Sequence, residues 1–311
     1  MQVGVARVFT HHTAPVNSLD FTKDGEKLLS SGDDHRLCLY STTQGAMERI
    51  AKCDAHGATL ARFTHDPLSV VVASKFDHAI RYMSFHDNRY MRSFKAHTAD
   101  VVALEMSPKE DILASASMDD TARLWDLRTT NCQGVMRFQG GGHRPAVAFD
   151  PNGQVFTAAI CGGRVKLFDL RAYDKGPFLT FLTTALGGSK SFSSIKFSND
   201  GKHMLLATTD GVHALLDAFS GQIVMTYEGH ITNPAAAESP PRPLEACFSP
   251  DAKFVLAGGD DGGIWRWETE TGKAFPPLKE HHAPVTALRC NPTRMMIASA
   301  DTATCLWLPD L

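Results

Sequence analysis

The stretch Ala114–Leu127, "ASASMDDTARLWDL", holds two serines, three aspartates and a tryptophan, and a histidine, His97, lies upstream. Serine, histidine and aspartate are the parts of a hydrolase triad, so the stretch is either a catalytic site or part of a framework. It is not unique in the chain. "MDDTARLWDL" within it is matched by "GDDHRLCLYS", "KFDHAIRYMS", "CGGRVKLFDL", "TTDGVHALLDA", "GDDGGIWRWET" and "SADTATCLWLP". The large residue near the end of each is, in chain order, Tyr40, Met83, Trp125, Phe168, Leu216, Trp267 and Trp307, at steps of 43, 42, 43, 48, 51 and 40 residues. A period in the low forties with an upstream histidine and a Trp-Asp-like ending marks the four-stranded blade of a propeller.

The histidines keep that register. His12, His56, His97, His143 and His281 precede their large residues by 28, 27, 28, 25 and 26 positions. Each is followed four residues later by an apolar residue that opens a strand-like run such as "VVALEMS". Turn sequences follow, "TKDGE", "SPKED", "DPNGQ", "SNDGK" and "SPDAK", rich in the residues that tight turns require. In the third repeat this predicts strands near 101–106, 112–117, 122–127 and 134–138, with no long helix anywhere. Runs such as "ILASAS" are apolar without clean alternation, as expected of strands covered on both faces. The last repeat ends one strand short, and "VGVARVF" at the start is an orphan strand. The predicted fold is all-β: one seven-bladed propeller over residues 1–311, with a strand near 3–9 completing the seventh blade.

Repetition argues against catalysis, because an active site occurs once. The aspartate recurs as Asp34, Asp77, Asp119, Asp210, Asp261 and Asp301. A buried indole N–H needs an acceptor, which Ser115 or Ser117 supplies from one strand face; the serine passes the hydrogen bond to His97, and Asp119 takes the other imidazole nitrogen. The structural set is therefore His12 with Asp34, His56 with Asp77, His97 with Ser117, Asp119 and Trp125, and His281 with Ser299, Asp301 and Trp307. The fourth repeat has Gly162 in the aspartate position and the fifth has Leu216 in the tryptophan position, so those blades rely on packing. No strained G-x-S-x-G elbow is present. We expect no catalytic residue, no cofactor and no metal: the adjacent pairs His11–His12 and His281–His282 point to opposite faces of a strand.

The formal net charge of −3 gives no pull toward nucleic acid, and seven scattered cysteines without a C-x-x-C pair suggest a reducing compartment. The first residues lack a signal-peptide pattern and no run is long enough to span a bilayer, which predicts a cytosolic or nuclear protein. Basic residues with interleaved tyrosines gather in the second repeat. Arg81 and Tyr82 there, and Arg128 and Arg171 after two blade ends, are the candidate partner-binding residues. "GGG" at 140–142 reads as an inter-blade connection, and Ile231–Pro243, "ITNPAAAESPPRP", as an insertion that explains the longest step.

These repeats resemble the WD-repeat family over the whole chain. Stretches outside the general consensus, "FHDNRYMRSF", "RLWDLRTTNCQGVM", "LFDLRAYDKGPF", "IKFSNDGK", "DAFSGQIVMTYEG" and "CLWLPDL", are similar to the WD-repeat subunit shared by COMPASS histone H3 lysine-4 methyltransferase complexes and by phosphatase-containing transcription-termination complexes. The resemblance implies a nuclear adaptor without catalysis. Such a subunit holds a SET-domain methyltransferase or a protein phosphatase 1 targeting subunit, and links them to phosphorylated RNA polymerase II. It implies protein partners, with neither nucleic acid nor a membrane bound directly. Trp125–Arg128 and Phe168–Arg171 also look like the W-D-x-R box that substrate receptors show to cullin-type ubiquitin ligases, which is the alternative function.

Overall fold

Ile112–Ser117 and Thr121–Asp126 pair antiparallel, and the turn between them holds Asp120 at a φ of 59°. Asp and His, like Asn, suit this left-handed position better than most non-glycine residues. His35 and His78 adopt it in the first two repeats, and Gly262 in the sixth, where a Cβ would stand 2.4 Å from the His281 carbonyl oxygen. Val101–Met106 pairs with the inner side of this hairpin and Cys132–Arg137 with the outer side, making a sheet of four. The four expected strands lie within two residues of those observed.

The computed structural model describes residues 3–138, 143–160, 162–183, 192–230 and 244–309. Among them are seven four-stranded antiparallel sheets. Six use consecutive strands. The seventh takes Ala287–Cys290, Ile297–Ala300 and Thr304–Pro309 from one end of the chain and Val3–Phe9 from the other, with Phe9 opposite Thr304. The first strands, Val16–Phe21, Leu60–Phe63, Val101–Met106, Ala146–Phe149, Phe192–Phe197, Ala246–Phe248 and Ala287–Cys290, each lie against the next, and the last returns to the first. The sheets are thus the blades of a closed seven-bladed propeller, fastened where the N-terminal strand joins the last blade. The Gly140–Gly142 connection and the Ile231–Pro243 insertion lie outside the described residues.

Blades bury one another. Trp125 packs with Leu60, Val71, Ile80 and Phe94 of the second blade, and its ring centre is 5.6 Å from that of Phe94. Coverage on both faces explains the unbroken apolar runs: Leu113 to Ser117 is buried throughout, whereas the outer strand Cys132–Arg137 alternates. The pairing register breaks after the first residue of the first strand in blades 1, 3 and 5, between Val16 and Ser18, Val101 and Ala103, and Phe192 and Ser194. A bulge re-aims a side chain. The residues inserted there, Asn17, Val102 and Ser193, line a cavity at the centre of the ring.

Candidate functional site

In the third blade the Trp125 indole N–H donates to Ser115 Oγ at 2.9 Å, Ser115 Oγ meets His97 Nε2 at 2.8 Å, and His97 Nδ1 meets Asp119 at 2.9 Å. Burial pushes the His97 pKa below its ordinary value, so the ring is neutral. Its Nδ1–H then donates to the carboxylate, and its Nε2 accepts the serine hydroxyl. Burial pushes Asp119 up, but hydrogen bonds from Thr121, His97 and the Thr98 amide more than offset this and bring its carboxyl down to about 2. Ser115 is 0% exposed, as are Ser30 and Ser299 in the matching positions of blades 1 and 7. These hydroxyls are enclosed within the blades, and the chain of bonds fastens two strands of a blade to the turn between them and to the inter-blade loop that carries His97.

Ser117 is a correction. It shares a face with Ser115 but donates instead to the Ala99 carbonyl at 2.9 Å. In blade 7 Ser299 lies two residues before Asp301, as Ser117 does before Asp119; that hairpin, however, is two residues shorter, since eight positions separate Ser299 from Trp307 and ten separate Ser115 from Trp125. There the set is complete: Trp307 Nε1 donates to Ser299 at 2.7 Å, His281 Nε2 lies 2.6 Å from Ser299, and its Nδ1 lies 3.0 Å from Asp301. In blade 1 His12 joins Ser30 at 2.7 Å and Asp34 at 2.9 Å, with Tyr40 in the tryptophan position stacked on Phe9 at 4.4 Å. Ser115→Ala leaves the indole N–H and the imidazole nitrogen unpaired, a cost of about 1–3 kcal/mol for each group. Ser117→Ala loses one ordinary bond worth about 1 kcal/mol. Urea unfolding is expected to place Ser115→Ala well below Ser117→Ala, and equal midpoints would overturn the assignment.

Blade 2 is a second correction. Asp77 pairs with Arg81, at 2.9 Å from Nη1 and 2.5 Å from Nη2, and Arg81 also bonds Ser74; the guanidinium holds the Asp77 carboxyl well below the usual range. His56 instead sets its ring edge-on to Tyr90 at 5.5 Å. Arg81 replaces the histidine of this blade as the partner of its aspartate. It is 5% exposed and does not face a partner as expected. Tyr82 is half-buried against the cluster that holds Trp125. Arg128 is exposed and folded back on Asp126 at 2.7 Å. Arg171 is exposed too, and with Lys175 and Phe178 it lines a cleft of about 400 Å³ on blade 4.

Two features escaped the sequence reading. His230 and His213 are fully buried, stack at 4.2 Å and have no hydrogen-bond partner on any ring nitrogen among the described residues. His230 is the histidine of blade 6, edge-on to Trp267 at 5.8 Å, but 37 residues precede that tryptophan because Ile231–Pro243 intervenes. The signal was "YEGH", which parallels "FKAH" ahead of blade 3. Burial pushes His230 down to about 4 and His213 well below its ordinary value. Groups with depressed folded pKa values stay neutral in the fold while the unfolded chain takes up protons. Their contribution is therefore intact above the ordinary value of 6.5 and shrinks as pH falls toward about 4. His213→Phe is expected to flatten the fall in melting temperature across that window, and a slope equal to the parent's would sink this account.

The second feature is a charged channel. Asp20, Arg62, Glu105, Lys196 and Arg289 occupy the same register on five first strands, at spacings that follow the repeat, so one charge per apolar strand was the signal. Glu105 meets Lys196 at 2.9 Å, Arg62 at 3.5 Å and Arg289 at 3.7 Å; Arg62 also reaches Glu245 at 3.7 Å. Among the described residues no group of three or more His, Cys, Asp or Glu is gathered as a metal would require.

The WD domain, G-beta repeat model matches residues 4–41, 88–126 and 221–268. The chain is 40% identical to WD repeat-containing protein 82 of Drosophila melanogaster over 98% of its own length and 94% of that protein. It is 34% identical to Set1 complex component swd2 of Schizosaccharomyces pombe over 85% of the chain and 72% of that protein. With COMPASS component SWD2 of Saccharomyces cerevisiae it shares 30% identity over 92% of the chain and 88% of that protein. Similarity that runs through every blade, on a ring with these internal fasteners, means that the chain belongs to the WD-repeat family, beside WD repeat-containing protein 82 and the swd2 components.

Proposed function

We propose that the chain is a non-catalytic adaptor subunit of a nuclear chromatin complex of the Set1 type, holding a histone H3 lysine-4 methyltransferase. We extend the reading to a second assembly, with a protein phosphatase 1 targeting subunit, and to a link with phosphorylated RNA polymerase II. The observation that carries it is the similarity, over 85% and 92% of the chain, to two proteins named as Set1 complex and COMPASS components. The buried state of every fastener serine supports the non-catalytic part, since these groups are spent inside the blades. Arg128 and Arg171 are the partner contacts we retain from the sequence, and the cleft beside Arg171, with Phe178 54% exposed, has the apolar and cationic character of an anchor pocket.

Affinity purification of the tagged protein from nuclear extract tests this reading. A SET-domain methyltransferase or a phosphatase regulator is expected in stoichiometric amount, with recovery reduced by Arg171→Ala. A cullin adaptor as the dominant partner would overturn it in favour of the W-D-x-R reading.

A further inference from the structure

The channel charges do not balance. Among the described residues Arg62, Arg144, Lys196 and Arg289 face Asp20, Glu105 and Glu245, which leaves one cation in excess. Three of the cations lie within 4 Å of a carboxylate, and Arg144 does not. Its Nη2 donates to the Val102 carbonyl at 2.7 Å, and its buried Nε has no partner among the described residues. Beside it, the Phe192 amide bonds the Arg144 carbonyl, so the following residues, Ser193 and Ser194, share its cavity. Both serines are more than nine-tenths buried and both hydroxyls are unpartnered. Three donors without acceptors thus gather around one cation.

Arg144 also forms the floor of a wider opening of about 310 Å³ at one end of the channel, lined by Asn17, Thr59, Ser74, Lys75, Asp100 and Thr286 among others. Buried donors are ordinarily paired, and an unpaired set at the floor of an open funnel is the form of a ligand site. We propose that this mouth receives a carboxylate side chain, Glu or Asp, of a partner peptide, which pairs with Arg144 Nε and accepts from Ser193 and Ser194. A carboxylate fits better than a phosphate. One positive charge is uncompensated, while Glu105 and Glu245 line the same cavity and repel a dianion. A planar carboxylate also matches the guanidinium edge. Burial drives the Arg144 pKa down to about 10 and Glu245 only partly restores it, the state of a cation that a bound anion stabilises. The mouth holds the flanking backbone, for which the Asp33–Lys75 ion pair at 2.9 Å offers polar partners, and the adjoining cavity of about 40 Å³, lined by Arg144, Ser193 and Ser194, admits the carboxylate alone.

The test uses the whole protein and a pool of acetylated, amidated hexapeptides with a central Glu and randomised flanks, against the same pool with central Gln. Sodium acetate and inorganic phosphate are titrated separately, and the Arg144 Nε–H resonance is followed. Retention of the Glu pool about tenfold above the Gln pool is expected, with a shift of that resonance. Arg144→Gln is expected to abolish the preference while the protein melts at or above the parent temperature, since it removes an uncompensated charge. Ser193→Ala with Ser194→Ala is expected to weaken the preference and serves if Arg144→Gln does not fold. Equal retention of both pools, saturation by acetate without peptide preference, tighter binding of phosphate, or an unchanged preference in the variants would each overturn the proposal. None of these outcomes bears on which complex the ring joins, so a failure here and a failure of the adaptor reading are distinguishable.

Discussion

Trp125→Ala is expected to lower stability by about 3–5 kcal/mol, the cost of emptying a large buried aromatic site. The indole is 1% exposed, contacts Phe94 and His97, and donates to Ser115. Its loss therefore opens a cavity between blades 2 and 3 and leaves the serine without its donor. A chain of this size shifts by roughly 2–4 °C per kcal/mol, so calorimetry should find the melting temperature lower by about 10 °C. Trp265 makes a contrast, since it lies at a less buried position of blade 6 and bonds Asp261 at 3.3 Å. Trp265→Ala should cost markedly less. A Trp125→Ala protein that melts with the parent would contradict the packing of these two blades.

Glu105→Ala is expected to cost about 3 kcal/mol or more, because removing one partner of a buried charge cluster leaves the others unpaired. Three cations from blades 2, 5 and 7 converge on this one carboxylate, so its loss strains the ring across its centre and not along one blade. Burial pushes its pKa up, but Lys196, Arg289 and Arg62 more than offset this and hold it at about 2. A carboxylate with a depressed folded pKa contributes stability that is complete above its ordinary value of 4.5 and is lost as pH falls from there toward about 2. Glu105→Gln should flatten the melting profile below pH 4.5, whereas His213→Phe flattens it above about 4, so the two windows separate the two features. Loss of less than about 1 kcal/mol in Glu105→Ala, measured by urea unfolding, would show that water reaches the channel charges and screens them.

Much of the architecture was legible because it is local and repeated. The "ILASAS" run, the turn aspartates and the Trp-Asp ending recur at a period that only a blade explains, and the unpaired first strand announced how the ring closes. The polar fasteners were legible as types and less so as positions. Ser115 and Ser117 share one strand face, so period two does not separate them, and the shorter hairpin of blade 7, which sets Ser299 two residues from its aspartate, is invisible until strands are paired. His230 was missed because thirteen residues separate it from the strand region it serves. Arg81 reads as a surface cation in a basic stretch, yet it turns inward to Asp77 where no histidine does so.

What the sequence determined by itself is the number of blades, the place of their strands and the closure of the ring, since apolar runs and turn chemistry act over a few residues at a time and the repeat spacing multiplies that local signal. Only the tertiary structure decided which serine accepts the indole, which arginine is buried and which cation at the channel mouth lacks a counter-charge. Those outcomes depend on distances of 3–4 Å between side chains brought together from as many as seven blades, and ion pairs such as Glu105 with Arg289 span most of the chain. Coulomb and hydrogen-bond energies fall off over such distances, so no spacing along the chain can stand in for them.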